Sequence, residues 1–277
     1  MAIPYKTEIG RREKKRKKKS IIEKWVIRSA NRYRQIKNLG NRLLVQSEIH
    51  LFGTINASSI LEKYHVSHLG QGVRIELHYL PSLTYFTALF PFETVWLEAA
   101  EHYGKQSYRN RCYVLTANGI DRLTVPVLNG THKQLIRDVR IDDRQAWPER
   151  HWRCLVTAYS KAPFFEYYAD ELQAVFRRKW SYLFDLNLEL LTLCLKWLGW
   201  QKKLLLTEHF ERQWAADILD AHALIDARGN VQNGRFYRPV SYPQNFGNVF
   251  VPDLSILDLI FCQGTGATDI LRQSLIQ

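Results

Sequence analysis

Cysteine is scarce in this 277-residue chain. Only Cys112, Cys154, Cys194 and Cys262 are present, 40 or more residues apart, and no CxxC pair occurs. That spacing excludes the usual zinc knuckle and a disulfide framework, and it suits a reducing compartment in which cysteines serve as small buried hydrophobes. Long apolar runs are missing as well. The most hydrophobic stretch, Leu183 to Trp200, carries Asp185, Asn187, Glu189 and Lys196, so it reads as a buried helix and not a membrane span. The basic N-terminus is not followed by an unbroken apolar segment, so no signal peptide is expected and the cytoplasm is the expected location. Nor is there a GxSxG elbow, a P-loop, an HExxH pair or a GxGxxG after a strand. His65 and His68 stand three apart without a third ligand, and Gly264-Thr-Gly266 suits a helix-entry turn as well as a phosphate loop. No metal and no cofactor is therefore expected.

Core-forming material is plentiful. Apolar residues make up 46% of the chain and aromatics 13%, which excludes wholesale disorder. The formal charge of +12 suggests a nucleic-acid binder until it is divided by region. Residues 1–50 hold 15 basic and 4 acidic residues, and residues 51–277 hold 24 and 23. The basicity belongs to an extension, expected over 1–71 and partly disordered or helical, and the domain over 72–277 is nearly neutral. Within the extension, Arg11 to Lys19 cannot pack, because like charges repel. It is either a polyanion contact for RNA or an anionic membrane surface, or a solvated tail.

From Gly72 the texture changes. Val73-Arg-Ile-Glu-Leu-His78 alternates as a half-buried strand does. Pro81 ends it, and Ser82 is placed to cap a helix through Phe90. Thr94–Leu97 and Arg111–Thr116 read as further strands, and Asn118-Gly119 marks a hairpin to Arg122–Val127. Leu135–Ile141 alternates again. Helical spacing then takes over: a helix from Pro148 to Tyr159, a longer one from Phe165 to Leu183, one capped by Asp185 and ended by Gly199, and a short one capped by Asp253. The expected class is α/β or α+β, with a strand-rich first half holding one early helix and a helical second half.

The densest polar cluster is Glu101 to Arg111, between two predicted strands. Lys105, Arg109 and Arg111 suit a phosphate, pyrophosphate or carboxylate, because guanidinium donors match paired oxygens, and Asn110 would orient them or a substrate hydroxyl. The alternative is a polar surface loop. His151 and Cys154 share a helical face. His151, near the helix N-terminus, would serve as a neutral general base or donor, whereas Cys154 reads as core.

Seven segments together resemble the WbqC-like family of bacterial proteins. They are His78-Tyr-Leu-Pro-Ser, Lys105-Gln-Ser-Tyr-Arg-Asn-Arg111, Leu123-Thr-Val-Pro-Val127, Asp138-Val-Arg-Ile-Asp142, His151-Trp152, Ala158-Tyr-Ser-Lys-Ala-Pro-Phe-Phe165 and Leu254-Ser-Ile-Leu-Asp-Leu259. The resemblance covers about residues 72–275. Where many members carry His-Gln-Pro-Asn before Tyr-Leu-Pro, this chain has Ile75-Glu-Leu-His78. Members occur in gene clusters for O-antigen and other surface polysaccharides, which implies a cytoplasmic role in making or decorating an activated sugar, for example acyl or aminoacyl transfer to a nucleotide-linked sugar. On that reading His151 and Asn110 are the catalytic candidates, and His78, Tyr79, Lys105, Arg109, Arg111 and Tyr159 the substrate contacts. A non-catalytic binding or scaffold protein of envelope biosynthesis is the alternative from another class, and a polyanion-associated protein the third.

The charge division yields one measurement. Deleting residues 1–50 should sharply lower the salt needed to elute the protein from heparin, because counterion release scales with the basic residues engaged. Unchanged retention would show that the body holds polyanions by itself.

Overall fold

The computed structural model describes residues 71–227 and 234–276. The basic extension and the His65/His68 pair lie outside them. Four strands form one parallel sheet: β1 (Gly72–Glu76), β2 (Thr94–Glu98), β5 (Lys203–Leu206) and β6 (Ile218–Asp220), in the order β5-β2-β1-β6. A separate antiparallel hairpin joins β3 (Arg111–Thr116) to β4 (Gly119–Thr124). Gly119, with φ +98°, supplies the left-handed step the tight turn requires. Helix α1 (Leu83–Leu89) carries the chain from β1 across to its parallel neighbour β2. Helices α2 (Trp147–Tyr159), α3 (Phe165–Arg177), α4 (Leu183–Trp197), α5 (Ile256–Gln263) and α6 (Ala267–Gln273) follow. The chain is α/β, with the strand-rich first half and helical second half its periodicities predict. Among the described residues no helix is long and apolar enough to cross a membrane.

The two strands after Trp200 escape a sequence reading, because β5 has four residues and β6 three, too short to express a period. Other expectations change for local reasons. Leu135–Ile141 is a 3₁₀ turn at Ile136–Asp138 and not a strand. Ile136 and Val139, both fully buried, are three apart, and Ile136 N–H bonds the Glu101 carbonyl. The long helix after Phe165 stops at Arg177, where the Trp180 indole donates to the Val175 carbonyl at 2.9 Å and Arg178 turns extended. Asp185 lies in the first turn of α4, and Tyr182 holds the cap position.

Asp253 does not cap its own helix. Ser255 caps α5 by accepting from Leu257 N–H, whereas Asp253 accepts the Thr84 N–H at 2.8 Å and so closes the start of α1 from across the chain. Burial pushes the Asp253 carboxyl above its ordinary value, so this helix start is already occupied by a protein group. The Gly264 turn is likewise structural. Its φ is +53°, and a Cβ there would lie 2.5 Å from the Phe164 ring. Gly264→Ala should therefore destabilise the fold by about 1–3 kcal/mol, read as a lowered melting temperature. An unchanged value would mean that Phe164 moves aside freely.

Candidate active site at the carboxyl edge of the sheet

The alternation of β1 is real, but it does not separate core from solvent. Val73 and Ile75 face the apolar core, while Arg74 and Glu76 are also buried, at 1% exposure each. The polar face of the sheet is sealed by charge pairing. Arg74 lies opposite Trp96 on β2 and Asp220 on β6, and Glu76 opposite Glu98. Arg74 donates to Glu98 through Nε at 2.8 Å and through its terminal nitrogen, and to Asp220 at 3.1 Å. Phe210 and Trp214, from the segment between β5 and β6, cover its guanidinium at 4.9 and 5.2 Å. Glu98 also accepts from the Thr207 hydroxyl and the Ala100 N–H.

A second arginine organises the strand ends. Arg109 holds Glu101 with two bonds, 2.6 and 2.5 Å, and lies 3.8 Å from Glu76. Glu76 in turn accepts the Ala223 N–H at 2.8 Å. Burial alone would raise the Glu76 carboxyl. The nearby His78, the charge of Arg109 and the Ala223 N–H outweigh it and hold the pKa at about 2. Glu101 behaves alike: burial raises it, and bonds from His222 and Arg109 bring it below its ordinary value. The Arg109 guanidinium is thus occupied by carboxylates, so it does not offer the free anion contact that its place in the sequence cluster suggests.

Two histidines stand in this network. The His222 Nε2 lies 2.7 Å from the Glu101 carboxylate, its side chain is 17% exposed, and its ring packs edge-on to Phe210 at 5.6 Å. His78 is fully enclosed between the Tyr85 and Tyr108 rings, 4.9 and 5.3 Å away. Its Nε2 is 3.3 Å from Glu76 without hydrogen-bond geometry, and among the described residues neither ring nitrogen nor the Tyr85 hydroxyl has a hydrogen-bond partner. The turn that carries His78 is strained. Leu80 has φ +42°, a left-handed conformation for a non-glycine residue and one that the following Pro81 disfavours. Complete burial of Leu80, Tyr79 N–H on the Tyr108 carbonyl and Ile256 N–H on the Pro81 carbonyl hold it there. Carboxyl edges of parallel sheets are where α/β proteins bind ligands. Here that edge gathers Glu76, His78, Glu101, Arg109 and His222.

The other site residues read from the sequence are distributed. Lys105 is exposed. Asn110 is buried, its amide donating to the Val125 carbonyl at 2.9 Å, so it ties β3 to β4. Arg111 is half-buried with its Nε enclosed and unpartnered. Tyr159 is fully buried, donating to Asp258 at 3.0 Å and accepting from Leu115 N–H at 3.2 Å. Tyr79 is fully buried, its hydroxyl 2.8 Å from the Nδ1 of His151. His151 lines a separate hollow with Asp121, Arg122 and Cys154. His222 was invisible as a candidate, since only the short β6 brings it beside Glu101. Asp220-Ala-His222 after a brief apolar run was the available signal. Among the described residues no group of three or more His, Cys, Asp or Glu side chains is placed to hold a metal ion.

The model of the WbqC-like protein family matches residues 77–228 and 208–270. A protein of Mycobacterium tuberculosis described as "Uncharacterized protein Rv1507c" is similar, at 29% identity over 225 residues, 72% of this chain and 96% of that protein. No solved structure matches.

The depressed Glu76 carboxyl makes a signed prediction. A group whose folded pKa lies below its unfolded value stabilises the fold above the unfolded pKa, and that contribution disappears as pH falls towards the folded one. Glu76→Gln should be less stable than the parent near pH 6, and the gap should shrink as pH falls from about 4.5 to about 2. Denaturant titrations of both proteins across that range test it. A gap independent of pH would mean that Glu76 carries no net charge interaction.

Proposed function

The chain belongs to the WbqC-like protein family, and from that premise we propose that it is a group-transfer enzyme of surface-polysaccharide biosynthesis. It would pass an acyl or aminoacyl group to a hydroxyl or amine of a nucleotide-linked sugar in the cytoplasm. One observation carries the chemistry: His222, partly open to solvent, is hydrogen-bonded to a buried carboxylate, Glu101, that Arg109 fixes in place. A carboxylate on one ring nitrogen orients an imidazole and leaves the other nitrogen to take a proton from an attacking hydroxyl or amine. Arg109 would keep Glu101 ionised during that transfer. His78, beside Glu76, is the second polar group for a substrate at this edge.

A binding or scaffold role is the second reading, and a specific observation favours it too. Most charges of the network are mutually paired and buried, as in a purely structural ion cluster. Turnover separates the two. The full chain, incubated with nucleotide sugars and activated acyl or aminoacyl donors, should give a product seen by mass spectrometry. His222→Ala should lower its rate by about 10²–10⁴ while binding of the sugar, read by thermal shift, persists. Sugar binding without product in the parent would favour the binding role. Full activity in His222→Ala would remove His222 from the chemistry.

A further inference from the structure

We propose that the hollow between β4 and α2 is a phosphate-binding pocket, formed by Arg122, Arg150 and the Nε2–H of His151. The hollow has a volume of about 360 Å³ and is lined by Asp121, Arg122, Thr124, Arg150, His151 and Cys154 among others. It shares no residue with the Glu101–His222 site and does not rest on the function proposed above.

The buried imidazole is the first observation. His151 is fully buried, yet among the described residues its Nε2 makes no hydrogen bond of ordinary geometry. The opposite nitrogen, Nδ1, is 2.8 Å from the Tyr79 hydroxyl. Burial pushes the Tyr79 phenol well above its ordinary pKa, so it keeps its hydrogen and needs an acceptor. Among the described residues its one acceptor is His151 Nδ1, which places the imidazole hydrogen on Nε2 as a donor. An enclosed donor without a partner is destabilising unless a ligand or water fills the place.

Charge is the second observation. Arg122 and Arg150 are exposed, and among the described residues neither makes an ion pair. The one carboxylate in the hollow, Asp121, is already engaged: one oxygen accepts the Arg122 N–H at 2.7 Å and the other faces the Cys154 thiol at 3.6 Å. Two free guanidiniums and a neutral N–H donor therefore face one occupied carboxylate. That favours an anion with several acceptor oxygens, and a phosphate group provides them. Burial and the Arg150 charge push the His151 pKa down to about 4, against a contact with the Thr124 backbone carbonyl, which falls short of hydrogen-bond geometry, and the charge of Asp121, so near neutral pH it is a neutral donor. Burial and Asp121 raise the Cys154 thiol to about 11, so near neutral pH it is protonated and adds no negative charge to the hollow.

The test uses the full chain and inorganic phosphate, with a nucleoside diphosphate as the second arm. Histidine-ring NMR signals are followed near pH 7, that of His151 being identified by its loss in His151→Gln. Phosphate should move the His151 signal saturably. The Arg122→Gln/Arg150→Gln double variant should weaken this about tenfold or more, with the melting temperature of the free protein unchanged because both side chains are exposed. Phosphate held by the basic extension is common to both proteins and does not move that signal. Tighter binding of the nucleoside diphosphate would mark a nucleotide as the source of the group, and equal binding a free phosphate; either supports the pocket. If His151→Gln fails to fold, calorimetry of the parent against the double variant makes the same comparison. A His151 signal indifferent to phosphate, or the same affinity in the double variant, overturns the proposal.

Discussion

Pairing of buried charge governs this structure. Arg74 and Arg109 each bridge carboxylates supplied by elements far apart in the chain: Glu76 on β1, Glu98 on β2, Glu101 just beyond it and Asp220 on β6. Removing one member of such a pair strands its partner in a poorly solvated interior, a loss of about 3–5 kcal/mol. The gain of forming it over a hydrophobic pair is small. The network is thus a weak source of stability and a strong source of register, because every other placement of β1, β2 and β6 would leave a charge alone. The segment between β5 and β6 is fixed by the same logic, with Phe210 and Trp214 over the Arg74 guanidinium.

The strained turn after β1 follows from this frame. Leu80 keeps a left-handed conformation because the strand before it is locked by ion pairs and helix α1 after it is closed by Asp253. Strain of that kind persists only where the surroundings over-determine it, and it tends to gather at sites that do work. Here it carries His78 and Tyr79 in opposite roles. His78 sits beside Glu76 among aromatic rings, and Tyr79 reaches His151 at the hollow beyond. Two polar places thus meet at one short turn.

Asn110 and Tyr159 show how a polar residue in a family-like motif can be engaged within the fold itself. Asn110 joins the Val125 carbonyl, and Tyr159 spans Asp258 and the β3 backbone. Each satisfies groups that burial would otherwise leave unpaired. Arg109 lies between these cases. It is structural in its bonds, yet it sets the charge state of the carboxylate behind His222.

Local chemistry along the chain determined the class of the fold. The alternation at Val73–His78, the Asn118-Gly119 hairpin and the helical spacing from Trp147 onward each reflect a period or a φ requirement carried by adjacent residues. The division of charge between the extension and the domain is likewise written in composition alone. Tertiary structure decided the meaning of the charged residues. A guanidinium in a sequence looks free, and only the fold shows that Arg109 is held by Glu101 whereas Arg122 and Arg150 are not. The fold also brought His222 to Glu101 through strands too short to express a period. The physical reason is range. Backbone preference acts over a few neighbouring residues, whereas the interaction of two charges depends on a distance in space and on the water removed around it, and neither is set by separation along the chain.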